Sequence, residues 1–378
     1  MNYDVIIVGA GAMGLATGYY LTQKGVQVLM LDAYDPPHEQ GSHGGETRLI
    51  RHAYGEGRGY TPLAIRSQGL WDELQQLVRL PILKKTGVLS FAQTESSFIK
   101  EIQASAHDHH LPLQLYNHEQ LKQRFAGLRL PKAEHMGCFE PSSGVLYVDQ
   151  ALRSYRALAI EAGAHLKVNH PVDHLKINKD DIIVYSRGKV FTGKQLLLAT
   201  GAWQPTWFKT LNLNVKLTVK RQMIGWFEAN EALFDASVFP GFTAETETGL
   251  FYGFPSIDGS GVKVGRHDYG TPVNPNHFDR DFSAADEAEL RSFLTTWLPE
   301  AAGRLIKGKT CLYTMTEDED FVIDCHPEHS HIWLAAGFSG HGFKFASGIG
   351  ESLADRMVNK TTIQDLAMFS INRFIVNG

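Results

Sequence analysis

Two kinds of hydrophobic pattern alternate along the chain. Residues 4–8 (Asp-Val-Ile-Ile-Val) form a β-branched run of strand length that stops at Gly9. Residues 13–24 then read as a helix with small residues along one side, and residues 26–32 (Val-Gln-Val-Leu-Met-Leu-Asp) as a second strand. Strand, helix and strand within about thirty residues make a βαβ unit, with a right-handed crossover and parallel strands. Two later runs have the same character and are expected in the same sheet: residues 195–200, followed by Gly201, and residues 331–336, followed by Gly337. Between these anchors, runs such as Val-Leu-Ser-Phe-Ala and Leu-Phe-Tyr-Gly-Phe-Pro alternate with turn clusters, which predicts a second, largely antiparallel unit inserted twice. The expected fold class is therefore α/β with α+β insertions. A discontinuous Rossmann-like domain takes residues 1–81, 148–214 and 311–378, and a mainly antiparallel-sheet domain takes 82–147 and 215–310.

Composition narrows the picture. With 378 residues, 43% of them hydrophobic, the chain can bury a large core, and disorder, collagen and coiled coil are excluded. Lys+Arg number 36 against 41 Asp+Glu, a net charge of −5 without a basic block, so nucleic acid is not an expected partner. The three cysteines, Cys138, Cys311 and Cys325, are too few and odd in number for a disulfide framework and fit a reducing compartment. The longest uncharged stretch, residues 5–23, follows Asp4 and is broken by glycines, which reads as strand–turn–helix rather than a signal or a membrane span. A cytoplasmic location is expected, with no membrane partner.

The chemistry-bearing motif is Gly9-Ala-Gly11-Ala-Met-Gly14, a G-x-G-x-x-G placed after a strand and before a helix. The first glycine permits the tight turn, the second lets backbone approach a diphosphate, and the third lets helix and strand pack closely. Asp32, at the end of the second strand, stands where a carboxylate accepts from ribose hydroxyls. NAD and FAD share this fingerprint, but the long insertion after two strands suits a flavoprotein. The segment Gly41-Ser-His-Gly-Gly-Glu-Thr-Arg48-Leu-Ile-Arg51-His-Ala-Tyr54 is the second cluster. If Ser42 or Thr47 caps a short helix, Arg48, Arg51 and Tyr54 share one face, which makes either an anion site or a solvated basic face. Lys344, in the glycine-rich turn around Gly340 and Gly342, sits in the first turn of a predicted helix against the helix dipole; it is either held ready for an anion or extended to solvent. On spacing alone Cys311 reads as a small buried hydrophobe. His107, His109 and His110 read as a polar helix face and His326-Pro-Glu-His329 as a loop, so no metal site is expected.

These stretches, and most of the sequence between them, resemble the family of monomeric sarcosine oxidase and N-methyl-L-tryptophan oxidase, flavoenzymes that oxidise N-methyl amino acids. The most specific stretches are DAYDPPHEQGSHGGETRLIRHAYGEGR, LFYGFP, KVGRH, CLYTMTEDEDF and HPEHSHIWLAAGFSGHGFKFASG. The resemblance implies a p-hydroxybenzoate-hydroxylase-like topology, one FAD per chain, and a thioether from Cys311 to the flavin 8α carbon. It also implies that Arg51 and Lys344 bind the substrate carboxylate, with Tyr54, Thr243 and Tyr313 beside them. Arg48 is implied to lie near the flavin, Lys263 at the oxygen-activating site on its other face, and Tyr252 and His267 beside the reacting amine. Gly9, Gly11, Gly14, Asp32, Ser42, His43, Gly201, Gly340 and Gly342 complete the implied cofactor site. The implied reaction takes a hydride equivalent from the N-methyl carbon of a neutral amine, passes the electrons to O2, and yields the amino acid, formaldehyde and hydrogen peroxide. The family favours a monomer.

Two departures stand out. Gly44 follows His43 where the family pattern usually has a second histidine. Thr243 replaces the methionine of sarcosine oxidase, as in the tryptophan-type enzyme, and a smaller residue leaves room for a larger side chain. An oxidase of another secondary amine such as pipecolate, or a flavin-binding module without catalysis, stays open as an alternative at this point.

Overall fold

The strand-rich patterns become three sheets. In the computed structural model, which describes residues 2–362 and 364–374, strand Asn2–Val8 leads into helix Ala12–Gln23 and strand Val28–Leu31. The two strands pair in parallel, as the crossover requires. Strand Lys189–Leu198 lies in parallel on the other side of Asn2–Val8. Its first half pairs antiparallel with Ile182–Ser186 and its second half in parallel with Ile332–Ala336. Both faces of this eight-stranded sheet are covered, which is why its central strands read as continuous apolar runs. Val5 and Ile7 pack with the helical side, including residues of helix Ala346–Asn359, while Ile6 and Val8 pack with Phe208 and Leu211 on the opposite face. Each such fully buried aliphatic side chain contributes roughly 1.5–3 kcal/mol.

The second sheet has nine strands among the described residues. Strand Thr218–Phe227 pairs antiparallel with both Leu305–Met315 and Val262–Arg266. Beyond them come Gly249–Phe254, Gly241–Thr246, Val88–Gln93 and His135–Glu140, and only Gly241–Thr246 with Val88–Gln93 is parallel among these neighbours. Helix Ala284–Trp297 closes one face through aromatic stacking, with Phe251 and Phe293 centroids 4.4 Å apart. Strand Leu305–Met315 belongs to this sheet and runs across residue 311, where the division expected from the sequence falls.

The third sheet carries a correction. The helix proposed from the arginine spacing is not formed: Thr47–Ile50 is a strand, paired antiparallel with Gly144–Tyr147, which also pairs with Leu83–Lys84. β-Branched Thr47 and Ile50 favour that state, and pairing with a strand almost a hundred residues away is a tertiary interaction that local spacing does not reveal. Arg48 and Arg51 therefore do not share a helix face. Two smaller differences follow the same logic: helix Ser97–Asp108 ends before His109 and His110, and Lys344 lies in a 3₁₀ turn, Phe343–Phe345, just ahead of helix Ala346–Asn359. No helix among the described residues is long and apolar enough to cross a membrane.

Candidate active site

Where the first strand turns into the first helix, backbone approaches backbone. Gly9 has φ +95°, and a Cβ there would lie 2.4 Å from the Ala199 carbonyl oxygen; a Cβ on Gly14 would lie 1.9 Å from the Gly9 oxygen. No side chain caps helix Ala12–Gln23, so its first amides face the space beyond Gly11. That space is a cavity of about 410 Å³, lined among others by Gly9, Gly11, Asp32, Ser42, His43 and Gly201. Asp32 is fixed at its rim: Oδ2 accepts from the Ala10 amide at 2.7 Å and Oδ1 from the Tyr34 amide at 2.8 Å. Buried His43 accepts the His38 amide at Nε2, 3.1 Å away, so its hydrogen sits on Nδ1, facing Gly11 and Gly41. Burial, helped by His38, pushes its pKa down to about 3, and the ring is neutral. The buried hydroxyl of Thr314, also on the cavity wall, has no protein partner. A glycine cradle at an uncapped helix, a fixed carboxylate and an unpaired wall hydroxyl fit a flavin dinucleotide.

A second cavity, about 70 Å³, adjoins the first and shares Arg48, Tyr313, Gly340 and Phe343 with it as a common wall. Gly340 is required there, since at φ +81° a Cβ would strike the Tyr313 ring at 2.2 Å. Arg48 holds the wall in place, donating from Nη2 to the carbonyls of Ser42 at 2.8 Å and Gly44 at 2.7 Å. Arg51 and Lys344 both reach this chamber and are buried. Arg51 stacks over the Tyr54 ring at 4.5 Å and donates from Nη2 to both Glu56 oxygens, at 2.5 and 2.6 Å. Lys344 Nζ donates to the Tyr54 hydroxyl and the His341 carbonyl, each 3.0 Å away. His341 Nε2 faces the Glu319 carbonyl at 3.4 Å and so carries the ring hydrogen, which leaves Nδ1 to accept from the Tyr54 hydroxyl at 2.7 Å. Solvent extension of Lys344, one of the two readings its position allowed, is thereby ruled out.

Charge in the chamber is tuned by burial. Burial works to raise the Glu56 carboxyl, but the Arg51 charge above all, with smaller contributions from its other basic neighbours, outweighs it and holds its pKa down at about 2. Burial and then the Arg51 charge bring Lys344 down to about 7. Burial also lowers His267 and pushes Tyr252 up to about 12. Tyr252 accepts a long hydrogen bond from the Tyr313 hydroxyl at 3.4 Å, and Thr243 is tied through its hydroxyl to Ser90 at 2.8 Å.

The chamber thus brings together Arg48, Arg51, Thr243, Tyr252, His267, Tyr313, Gly340 and Lys344, with Tyr54 beneath. Cys311 and Lys263 line neither cavity. Cys311 lies two residues from Tyr313, on the same strand face, and is buried with it; burial raises its thiol pKa against the lowering charges of Arg48 and Lys263. Lys263 spends its donors on the carbonyls of Gly45 and Thr47 and on the Thr47 hydroxyl, at 2.6, 2.9 and 2.9 Å, beneath the Phe254 ring at 4.1 Å. Burial, then the Arg48 charge, push it well below the ordinary lysine range. The sequence reading missed Glu56 and His341. Each is a single titratable residue set between glycines, in Gly55-Glu56-Gly57 and Gly340-His341-Gly342, and that flanking was the available signal.

The comparisons with known proteins agree with this geometry. The family described as FAD dependent oxidoreductase (DAO) matches residues 4–356. Monomeric sarcosine oxidase from Bacillus sp. (strain B-0618) is 44% identical over 376 residues, covering 98% of this chain and 96% of that protein. N-methyl-L-tryptophan oxidase from Salmonella newport (strain SL254) is 38% identical over 377 residues, covering 99% of this chain and all of that protein. Among solved structures, L-proline dehydrogenase from P. horikoshii aligns with a TM-score of 0.88 at 19% identity, over 99% of this chain and 98% of that one. NikD, an unusual amino acid oxidase essential for nikkomycin biosynthesis, aligns at 0.85 and 22% identity, over 98% and 97%. With its glycine cradle, fixed carboxylate and full-length likeness to flavin oxidases, the chain belongs to the DAO family of FAD-dependent oxidoreductases.

Proposed function

We propose that this chain is an oxidase that demethylates N-methyl amino acids, using FAD, O2 and water to give the amino acid, formaldehyde and hydrogen peroxide. The observation that carries the reading is the small chamber: two buried cations, Arg51 and Lys344, on a space separated from the dinucleotide cavity by one layer of residues. Support comes also from the two full-length relatives, whose names give sarcosine and N-methyl-L-tryptophan as what they oxidise. We assign the substrate carboxylate to Arg51, which exchanges Glu56 for the ligand, and to the remaining donor of Lys344. The same positive charges disfavour an ammonium nearby, so the amine binds as its free base. His267 and Tyr252, which line the same chamber, are assigned to hydrogen-bond that amine and orient its methyl group toward the shared wall. Phe251, Phe254 and Leu250 keep water from the chamber.

When bound, FAD would supply the hydride acceptor and the redox link to O2. Gly9, Gly11, Gly14, Asp32, Ser42, His43, Gly201, Gly340 and Gly342 are its assigned contacts, Cys311 its covalent anchor, and Lys263 the cation for dioxygen. We further assign residues 1–81, 148–214 and 316–378 to the FAD domain and the remainder, with the whole of strand Leu305–Met315, to the substrate domain, in a monomer of the cytoplasm. Among substrates, the 70 Å³ volume of the chamber favours sarcosine over an indole side chain, in spite of the room that Thr243 leaves.

The test is acid precipitation of the purified protein, followed by oxygen-consumption assays with sarcosine and N-methyl-L-tryptophan. Yellow flavin retained in the pellet, and formaldehyde with peroxide from sarcosine at the higher kcat/KM, are the expected results. Flavin released to the supernatant removes the Cys311 anchor, and absence of peroxide from both amines removes the activity.

A further inference from the structure

The two residues that follow Arg51 are held from a distant part of the chain. Glu140, the last residue of strand His135–Glu140, accepts the His52 amide at 3.0 and 3.1 Å and the Ala53 amide at 2.9 Å, across 88 and 87 residues of sequence. Its Oε1 also faces His52 Nδ1 at 2.6 Å and accepts the Ser143 hydroxyl. Four donors on one carboxylate occupy about all of its lone-pair sites. The group is almost fully buried, and neither it nor His52 lines a cavity. Burial works to raise the carboxyl, but the hydrogen bond and charge of His52, with Ser143 and the Ala53 amide, hold it below its ordinary value. A buried ion is a costly way to fill a core that apolar side chains fill as well, so its service lies in what it orients.

Register shows what that is. Glu140 pairs with Val88, and Val88 with Gly241; two residues along, Ser90 pairs with Thr243 and bonds its hydroxyl. The main chain just after Arg51 is therefore clamped to the same rigid row of strands that carries Thr243. We infer that Glu140 is a positioning residue that fixes Arg51 relative to the Thr243 wall, and so sets how a substrate's carboxylate lies with respect to the space for its side chain. The inference rests on the reading of Arg51 as the carboxylate-binding group.

The experiment uses the flavin-loaded enzyme and four forms: wild type, Glu140→Gln, Arg51→Ala and the double variant. Propionate, a carboxylate without an amine, is titrated by the flavin absorbance change, and KM and kcat are measured with sarcosine. Glu140→Gln removes the charge and leaves one acceptor oxygen for the two main-chain N–H donors, while its NH₂ faces the remaining donors, His52 and Ser143. The expected result is a rise of about tenfold in propionate Kd and sarcosine KM with little change in kcat or flavin content, and no further rise when added to Arg51→Ala. His52→Gln, which spares the main-chain clamp, provides a milder form if Glu140→Gln does not fold, and a smaller rise in the same direction is expected. Equal penalties in both Arg51 backgrounds, or a fall in Tm with Kd unchanged, overturn the positioning role. An Arg51→Ala enzyme that still binds propionate as tightly as wild type removes the reading of Arg51 instead.

Discussion

Lys344 gives the chamber a pH dependence of definite sign. Two of its donors are spent on Tyr54 and the His341 carbonyl, leaving one for a ligand. With its pKa brought down to about 7, the free enzyme loses this charge as pH rises through neutrality. A bound carboxylate favours the ammonium, so binding above that point takes up a proton and weakens by up to about tenfold per pH unit. The other facing groups do not reverse this: Glu56 stays ionised, with a pKa of about 2, Arg51 is always charged, and burial keeps His267 and His341 on the neutral side. Titrating propionate between pH 6 and about 9 is expected to show Kd flat and then rising, and Lys344→Met is expected to flatten the rise while weakening binding below pH 7. At this scale the sequence was informative about cations and silent about Glu56. A lysine set against a helix dipole is a visible anomaly, whereas the partner of a buried arginine is known only once both are folded together.

Elements were legible in proportion to how local their cause is. The strand–turn–helix at Gly9–Gly14 was readable because Gly14 is demanded by the Gly9 carbonyl within the motif itself, whereas the close approach of Ala199 to Gly9 is a tertiary contact that the motif does not show. Gly14→Ala places a methyl group 1.9 Å from the Gly9 oxygen, so the helix must move away from the turn. The expected outcome is a folded protein purified with much reduced flavin, measured as the ratio of 450 to 280 nm absorbance. Thr47–Ile50 was misread because its partner strand, Gly144–Tyr147, is distant in sequence. Arg48 and Arg51 consequently serve two places, Arg48 tying down the loop beside the shared wall and Arg51 facing Glu56. Helix periodicity imposed on that segment had merged two sites into one.

For the whole molecule, cofactor and stability are linked. A ligand held only by the native state stabilises it by RT ln(1 + [L]/Kd), about 2.7 kcal/mol at a hundredfold excess over Kd. On the proposal that Cys311 anchors the flavin, the wild-type Tm is expected to ignore added FAD, whereas the Tm of Cys311→Ser climbs as free FAD is added, read in thermal scans. The two-sheet plan was legible in outline from the strand-like runs, but the strand that joins the sheets to the wall, Leu305–Met315, was divided because its burial changes along its length. The order in which strands meet has one more consequence. Lys189–Leu198 sits between Asn2–Val8 and Ile332–Ala336, so the dinucleotide sheet is closed by a strand more than three hundred residues after the one that opens it. A nascent chain carries its glycine turn from the start, yet leaves a hydrophobic strand edge uncovered until more than three hundred residues have emerged. Flavin capture is thus expected to follow, not precede, the arrival of that last strand.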